Sequence, residues 1–202
     1  MFIFIWSTVV YDPIAYWTWN STGWAKKLKV LDFAGGIAVH ICSGSSALAI
    51  SVYLGPRHQY NPNRQWPVNN IFSVVLGTVM MWYGTCNVLF VLFLYLPREL
   101  TPILSQGWYG FNGGSALSAN FVAVQACLNT TIAAATGGLT GVAMVRPFIS
   151  WAYNNLDLLQ DFHYQKKWSP ISFCSGVVAG LIAITPGSGY VDLCMSLFFN
   201  LI

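Results

Sequence analysis

His40 sits in the uncharged, apolar run Phe33–Leu54. An imidazole can accept a hydrogen bond, donate one, or relay a proton near neutral pH. Asp32, Gly36, His40 and Gly44 recur every four residues. That spacing predicts one helical stripe of polar and small side chains, with Ile37, Ile41, Leu48 and Val52 on the opposite face. At the α-helical rise, His40 would lie ~12 Å along the axis from Asp32. An ionisable group buried that far inside an apolar span is costly, and usually marks a pathway for a polar solute or a proton. The other reading is a histidine hydrogen-bonded to a neighbouring helix, and the spacing leaves both open. The small residues Gly35, Gly36, Ser43, Gly44 and Ala47 would let other helices come close.

Other side chains with chemistry are less organised. The five cysteines (Cys42, Cys86, Cys127, Cys174, Cys194) mostly lie inside apolar runs, with no CxxC and no metal-ligand spacing. They read as packed, reduced thiols, and no metal or cofactor is expected. Ser43-Gly44-Ser45-Ser46 and Gly187-Ser188-Gly189 offer candidate nucleophiles for an intramembrane serine protease. No second intramembrane histidine or catalytic acid accompanies them, so an enzyme is not expected.

The elements that must position these residues follow from composition. The chain is 55% apolar, 16% aromatic and 7% charged. An ordinary soluble domain carries roughly 25% charged residues. Nine basic and six acidic side chains cannot cover a soluble surface of this size, and a net charge of +3 is too small and scattered for nucleic-acid binding. The expectation is an all-α, polytopic membrane helix bundle embedded in a lipid bilayer. A crossing needs about 20 apolar residues. Five runs qualify: Phe2–Trp19, Phe33–Leu54, Ile71–Leu96, Ala119–Val145 and Pro170–Val191. They are too long and unbroken for barrel strands. The first contains Asp12 before Pro13. Connectors 55–67 and 146–169 carry the larger share of basic residues, which places them on the cytoplasmic side. The connector with Lys26, Lys27 and Lys29 would then lie outside, along with the sequon Asn20-Ser21-Thr22. The chain opens at Met1 directly into an apolar run, with no basic n-region and no small-residue cleavage site. Such a start is expected of a truncated sequence.

Asp32-Phe33-Ala34-Gly35-Gly36, Val39-His40, Gly44, Ala47-Leu48 and Leu54-Gly55-Pro56-Arg57 together resemble the signature of the ammonium transporter (Amt/Mep/Rh) family, in a fungal Mep-like form. Three further segments resemble it in the same order. Tyr11-Asp12-Pro13-Ile14-Ala15 with Trp17-Thr18-Trp19 looks like the end of its fourth span. Gly107-Trp108-Tyr109-Gly110-Phe111-Asn112-Gly113-Gly114-Ser115 looks like its sixth, and Ile184-Thr185-Pro186-Gly187-Ser188-Gly189-Tyr190-Val191 like the end of its eighth.

The resemblance implies an eleven-helix parent with an internal inverted repeat, assembled as a homotrimer in the plasma membrane with one pore per subunit. Ammonium, and by extension methylammonium, would be recruited outside and pass a phenylalanine gate. It would then lose a proton and cross as ammonia past two hydrogen-bonded histidines. Residue by residue, it implies Trp19 at the outer recruitment site, where the alternative is an interfacial belt tryptophan. It implies Phe111 as the gate phenylalanine, Ser115 as the outer-site hydroxyl, Trp108 as a pore-lining aromatic and His40 as the first of the twin histidines. Asp32 matches the acid at the outer end of its span, where a structural role is favoured over direct ammonium contact. Without the resemblance, Trp108, Phe111 and Ser115 read as ordinary helix packing. An ammonium sensor on the same fold is the alternative function.

The sequence also departs from the family. The second twin histidine is missing, because His58 and His163 lie in polar connectors. The first three spans are absent as well, so residues 1–202 are expected to be a partial transporter domain that does not conduct alone. The family reads W-[FY]-G-W-[FY]-G-F-N straight through. Here Trp82-Tyr83-Gly84 is separated from Trp108-Tyr109-Gly110-Phe111 by residues 85–107. That segment is expected to be a non-homologous insertion, such as translated intron; a genuine insertion that pushes Trp108–Ser115 out of place is the alternative. Residues 192–202 are expected to be a non-homologous tail.

Overall fold

A computed structural model describes residues 2–58, 69–84, 107–152 and 169–198, with the side chains of 144–152 excepted. The described residues are helical and contain no strand. Helix α1 runs unbroken over residues 2–19. Its middle turn, Ser7–Tyr11, is widened, and Asp12 N–H donates to Ser7 O five residues back. Pro13 follows at once. Its ring has no N–H to donate and crowds the preceding turn, and a local widening relieves that conflict. A single turn, α2 (Trp24–Lys27), follows. The long apolar helix α3 covers Gly36–Leu54, α4 is Ile71–Tyr83, and α5 is Trp108–Gly114. Helix α6 is Phe121–Ala152, α7 is Pro170–Ile184, and α8 is Leu193–Phe198. Among the described residues, Gly36–Leu54 and Phe121–Ala143 are each long and apolar enough to cross a membrane.

The packing centre is the crossing of α6 and α7. Glycines at Gly137 and Gly141 on α6 face Gly176 on α7, and a Cβ on Gly141 would lie 2.8 Å from Gly176 Cα. Close backbone approach of this kind replaces the hydrophobic drive that lipid does not supply. Ala134, Val177 and Leu181 are fully buried at this crossing, and Trp82 and Trp108 pack against them. Side-chain amides and hydroxyls add hydrogen bonds between elements. Asn129 Nδ2 donates to Ser188 O (2.9 Å) and Val191 O (2.7 Å), and Gln125 Nε2 donates to Val191 O (2.8 Å). These tie the turn after α7 to α6. Asn112 Nδ2 donates to Thr130 Oγ1 at 2.9 Å, and the Tyr109 and Thr131 hydroxyls meet at 2.6 Å. These tie α5 to the same helix.

Several boundaries differ from the sequence reading. The second run begins as helix at Gly36, because Asp32–Gly35 form a non-helical lead-in. Helix α6 continues past Val145 through Arg146 to Ala152. Helix α7 ends at Ile184, and 185–190 form turns. The continuation of the third run to Leu96, most of the 85–107 segment, Arg64, Lys166, Lys167, His163 and the last four residues lie outside the described residues.

Glycine at the α6–α7 crossing should be intolerant of a side chain. Gly141→Val is expected to lower stability by about 1–3 kcal/mol through overpacking. Gly44→Ala, where nothing lies within 4 Å of the added Cβ, should be neutral or slightly stabilising. Thermal unfolding midpoints of the purified protein in one detergent check the contrast.

Candidate functional site

The four-residue stripe is corrected by the structure. Asp32 does not sit on the helix with His40; it stands ahead of it and caps it. Its Oδ1 accepts from Gly35 N (2.8 Å) and Gly36 N (2.6 Å), and its Oδ2 accepts from Ile37 N (2.9 Å) and Ala38 N (3.1 Å). The first amides of a helix have no partners within it, and they present positive partial charge. One buried carboxylate here satisfies four of them. Gly35 makes this possible with φ +106°, which L side chains rarely adopt. The lead-in also docks on the turn after α7. Phe33 N donates to Pro186 O (2.9 Å), Ala34 N donates to Thr185 O (3.3 Å), and Phe33 meets Tyr190 edge-to-face at 5.3 Å.

Trp19 belongs to this same unit. Its indole Nε1–H donates to the backbone carbonyl of Asp32 at 3.0 Å, while its ring remains 40% exposed.

The first turn of α3 is wide. Gly35 O accepts from both Val39 N (2.9 Å) and His40 N (3.0 Å), four and five residues on. Wide turns of this type occur frequently at functional sites. Here the turn presents His40 to two aromatic rings of α5. The imidazole stacks on Trp108, with centroids 5.2 Å apart and planes 14° apart, and it lies 5.5 Å from the Phe111 ring. Its Nε2 is buried and has no hydrogen-bond partner among the described residues.

His40, Trp108, Phe111 and Ser115 line one cavity of ≈ 570 Å³, along with Met81 and Leu117. The Ser115 hydroxyl donates to Phe111 O at 2.7 Å, which leaves its oxygen lone pairs as acceptors. Trp108 is held by its indole N–H, which donates to Thr185 Oγ1 at 3.0 Å; that hydroxyl in turn donates to Leu181 O at 2.8 Å. The walls are thus apolar, with the Trp108 and Phe111 rings set among Met81 and Leu117, and one imidazole and one hydroxyl as polar points. Such a space attracts a partly desolvated cation to ring faces and offers few groups that could rehydrate it.

Of the six residues singled out from sequence, four meet at the cavity; Trp19 and Asp32 form the capped lead-in beside it. Sequence reasoning missed Met81 and Leu117 as lining residues and Thr185 as the anchor of Trp108. Thr185 lay within a family-like segment, but a threonine before a proline gives no sign of which ring it will hold.

The ammonium transporter family model matches residues 1–86 and 101–202. The chain belongs to that family. It is 41% identical over 191 residues to Ammonium transporter 1 of Schizosaccharomyces pombe, covering 95% of this chain and 30% of that protein. Among solved structures it resembles Mep2 of Candida albicans, with a TM-score of 0.71, 39% identity, and coverage of 100% of this chain and 36% of that one. A structure described as a sensor Amt protein also resembles it, with a TM-score of 0.70 and 27% identity, covering 98% of this chain and 42% of that one. The chain therefore spans about a third of the length of the curated relatives it matches. The family match breaks at residues 87–100 and includes the last eleven residues.

The geometry assigns Asp32 to holding the lead-in. Asp32→Ala should cost roughly 2 kcal/mol or more, since buried donors lose their acceptor. Asp32→Asn should recover only part of this, because an amide has one acceptor oxygen and turns an NH₂ toward two N–H groups. Thermal midpoints of the three proteins check this. An Asp32→Asn protein as stable as the parent would remove the capping role.

Proposed function

We propose that this chain supplies one wall of an ammonium pathway across the plasma membrane, in a protein that works as a homotrimer within the bilayer. The observation that carries the reading is the His40 imidazole, stacked on the cavity-lining Trp108 ring and tilted against Phe111, with a buried Nε2 that has no partner among the described residues. Ammonium and potassium are of similar size, so a pore cannot separate them by width alone. Ammonium can donate hydrogen bonds and lose a proton; potassium can do neither. Aromatic faces favour the incoming cation, by up to ~2 kcal/mol when it is desolvated. Past them, an apolar passage tolerates neutral ammonia and makes an ion expensive. An imidazole within the passage can accept from or donate to ammonia, or relay the proton.

In this reading Trp19 offers a ring face at the outer mouth, Phe111 screens the passage, and Ser115 accepts a hydrogen bond from the cation. Trp108 forms the wall beside His40, and His40 Nε2 is left open to a polar partner from beyond the described residues. Methylammonium fits the same chemistry. No resident metal or cofactor and no bond-making reaction is part of the proposal. A sensing role on the same fold is less favoured: the relative named a transporter is 41% identical, against 27% for the sensor Amt protein.

The test places His40→Ala and His40→Glu in the longest protein that carries this chain, expressed in cells lacking their own ammonium uptake. His40→Ala should lose ammonium uptake, or selectivity against potassium, by roughly tenfold or more, the kinetic equivalent of ~1.4 kcal/mol. His40→Glu should keep partial conduction with altered selectivity, because an acid there still exchanges protons. Ammonium and potassium currents are compared with surface-expressed amount. Unchanged selectivity in a well-expressed His40→Ala protein sinks the proposal.

A further inference from the structure

Residues 84 and 107 are 23 positions apart in the chain, yet they touch. A side chain on Gly107 would overlap the backbone of Gly84 and Tyr83. Positions 84 and 107 are therefore adjacent on the bundle. On either side of them the two short helices behave as one element. Trp82 and Trp108 pack against the same buried cluster of Ala134, Val177 and Leu181. The Tyr83 and Tyr109 rings meet edge-to-face at 5.2 Å. Met81 from α4 lines the same cavity as Trp108, Phe111 and Ser115.

Helical register makes the connection specific. With residues 85–107 set aside, Met81, Trp108, Phe111 and Ser115 fall at i, i+4, i+7 and i+11, which is one face of an α-helix. Trp82/Trp108 and Tyr83/Tyr109 both become i, i+3 pairs, which are neighbours on a helix surface. Removing one residue more or fewer turns everything after the join by about 100° and takes the rings off the cavity face. The joined helix would run from Ile71 to the Ser115 region, about the length of one membrane crossing. The break in the family match at residues 87–100 falls within the same interval.

We infer that Ile71–Tyr83 and Trp108–Gly114 are two halves of a single membrane-crossing helix, that residues 85–107 interrupt it with Gly107 at the edge of the cavity, and that joining Gly84 to Trp108 restores the helix in register. The inference rests on this geometry and not on what the cavity conducts. Gly84 now has φ +77°. In the joined chain it would take helical angles, and the N–H groups at the start of α5 would find carbonyl partners in the last turn of α4.

The test compares the intact polypeptide with three in-frame deletions, Δ85–107, Δ85–106 and Δ85–108. The readouts are folded, monodisperse yield from membranes, thermal midpoint and far-UV helical signal, none of which depends on transport. The Δ85–107 protein is expected to match or exceed the intact protein in yield, with its midpoint shifted upward and more helix per residue. The two off-register deletions should lose yield and shift downward. Loss of folded protein in Δ85–107 while the intact chain stays folded overturns the inference. So does equal behaviour of the three deletions, or better behaviour of either off-register one.

Discussion

One carboxylate holds the start of α3. Asp32 accepts four backbone N–H groups within 3.1 Å and is 93% removed from solvent (7% exposed). A helix that begins inside a protein has amides that must be partnered, and in an apolar setting water cannot be relied on to do it. The cap removes that cost and fixes where the first turn begins. It also fixes the lead-in's backbone, so that Trp19 can bond the Asp32 carbonyl and Phe33 can bond the turn after α7. His40 is placed relative to that origin. A shift of one residue in the start of α3 would carry the imidazole away from Trp108 and Phe111.

The aromatic wall has its own support, built from different physics. Trp108 cannot rotate freely because its indole N–H is committed to Thr185, and Thr185 lies at the end of the helix that crosses α6 through facing glycines. Backbones that close leave no room for slack, and the amides of Asn112 and Asn129 lock the neighbouring elements by direction as well as distance. The cavity is thus held between two rigid references: a capped helix start on one side and a tightly crossed helix pair on the other. Neither reference contributes much of the lining itself.

Much of this was legible in the sequence, and the failures have physical causes. Composition and run length give helices and a membrane class, because few charges and long apolar stretches leave few other solutions. The motifs around His40, Trp108, Phe111 and Ser115 anticipated residues that the fold gathers at one cavity. Period-four spacing misled at Asp32, since a capping acid four residues before a helix position mimics a residue on that helix. The extension of α6 past Val145 was missed because Arg146 reads as the start of the connector 146–169, whereas the helix continues through it to Ala152. Thr185 could not be found because the pairing of a hydroxyl with an indole 77 residues away is a property of packing alone.

The shared acceptor at Gly35 has a mechanical consequence. A wide turn contains one residue more than an α-turn, and that surplus can travel along a helix by exchange of carbonyl partners between neighbouring amides. Val39 and His40 already hold the two alternative bonds to the same oxygen. The imidazole is therefore mounted at a dislocation in the helix, the place where a small screw motion needs the fewest bonds broken. The carboxylate pins the helix above this defect, and the uninterrupted turns from Cys42 onward stiffen it below. Any rotation of this helix would be taken up first in the few residues that carry the ring.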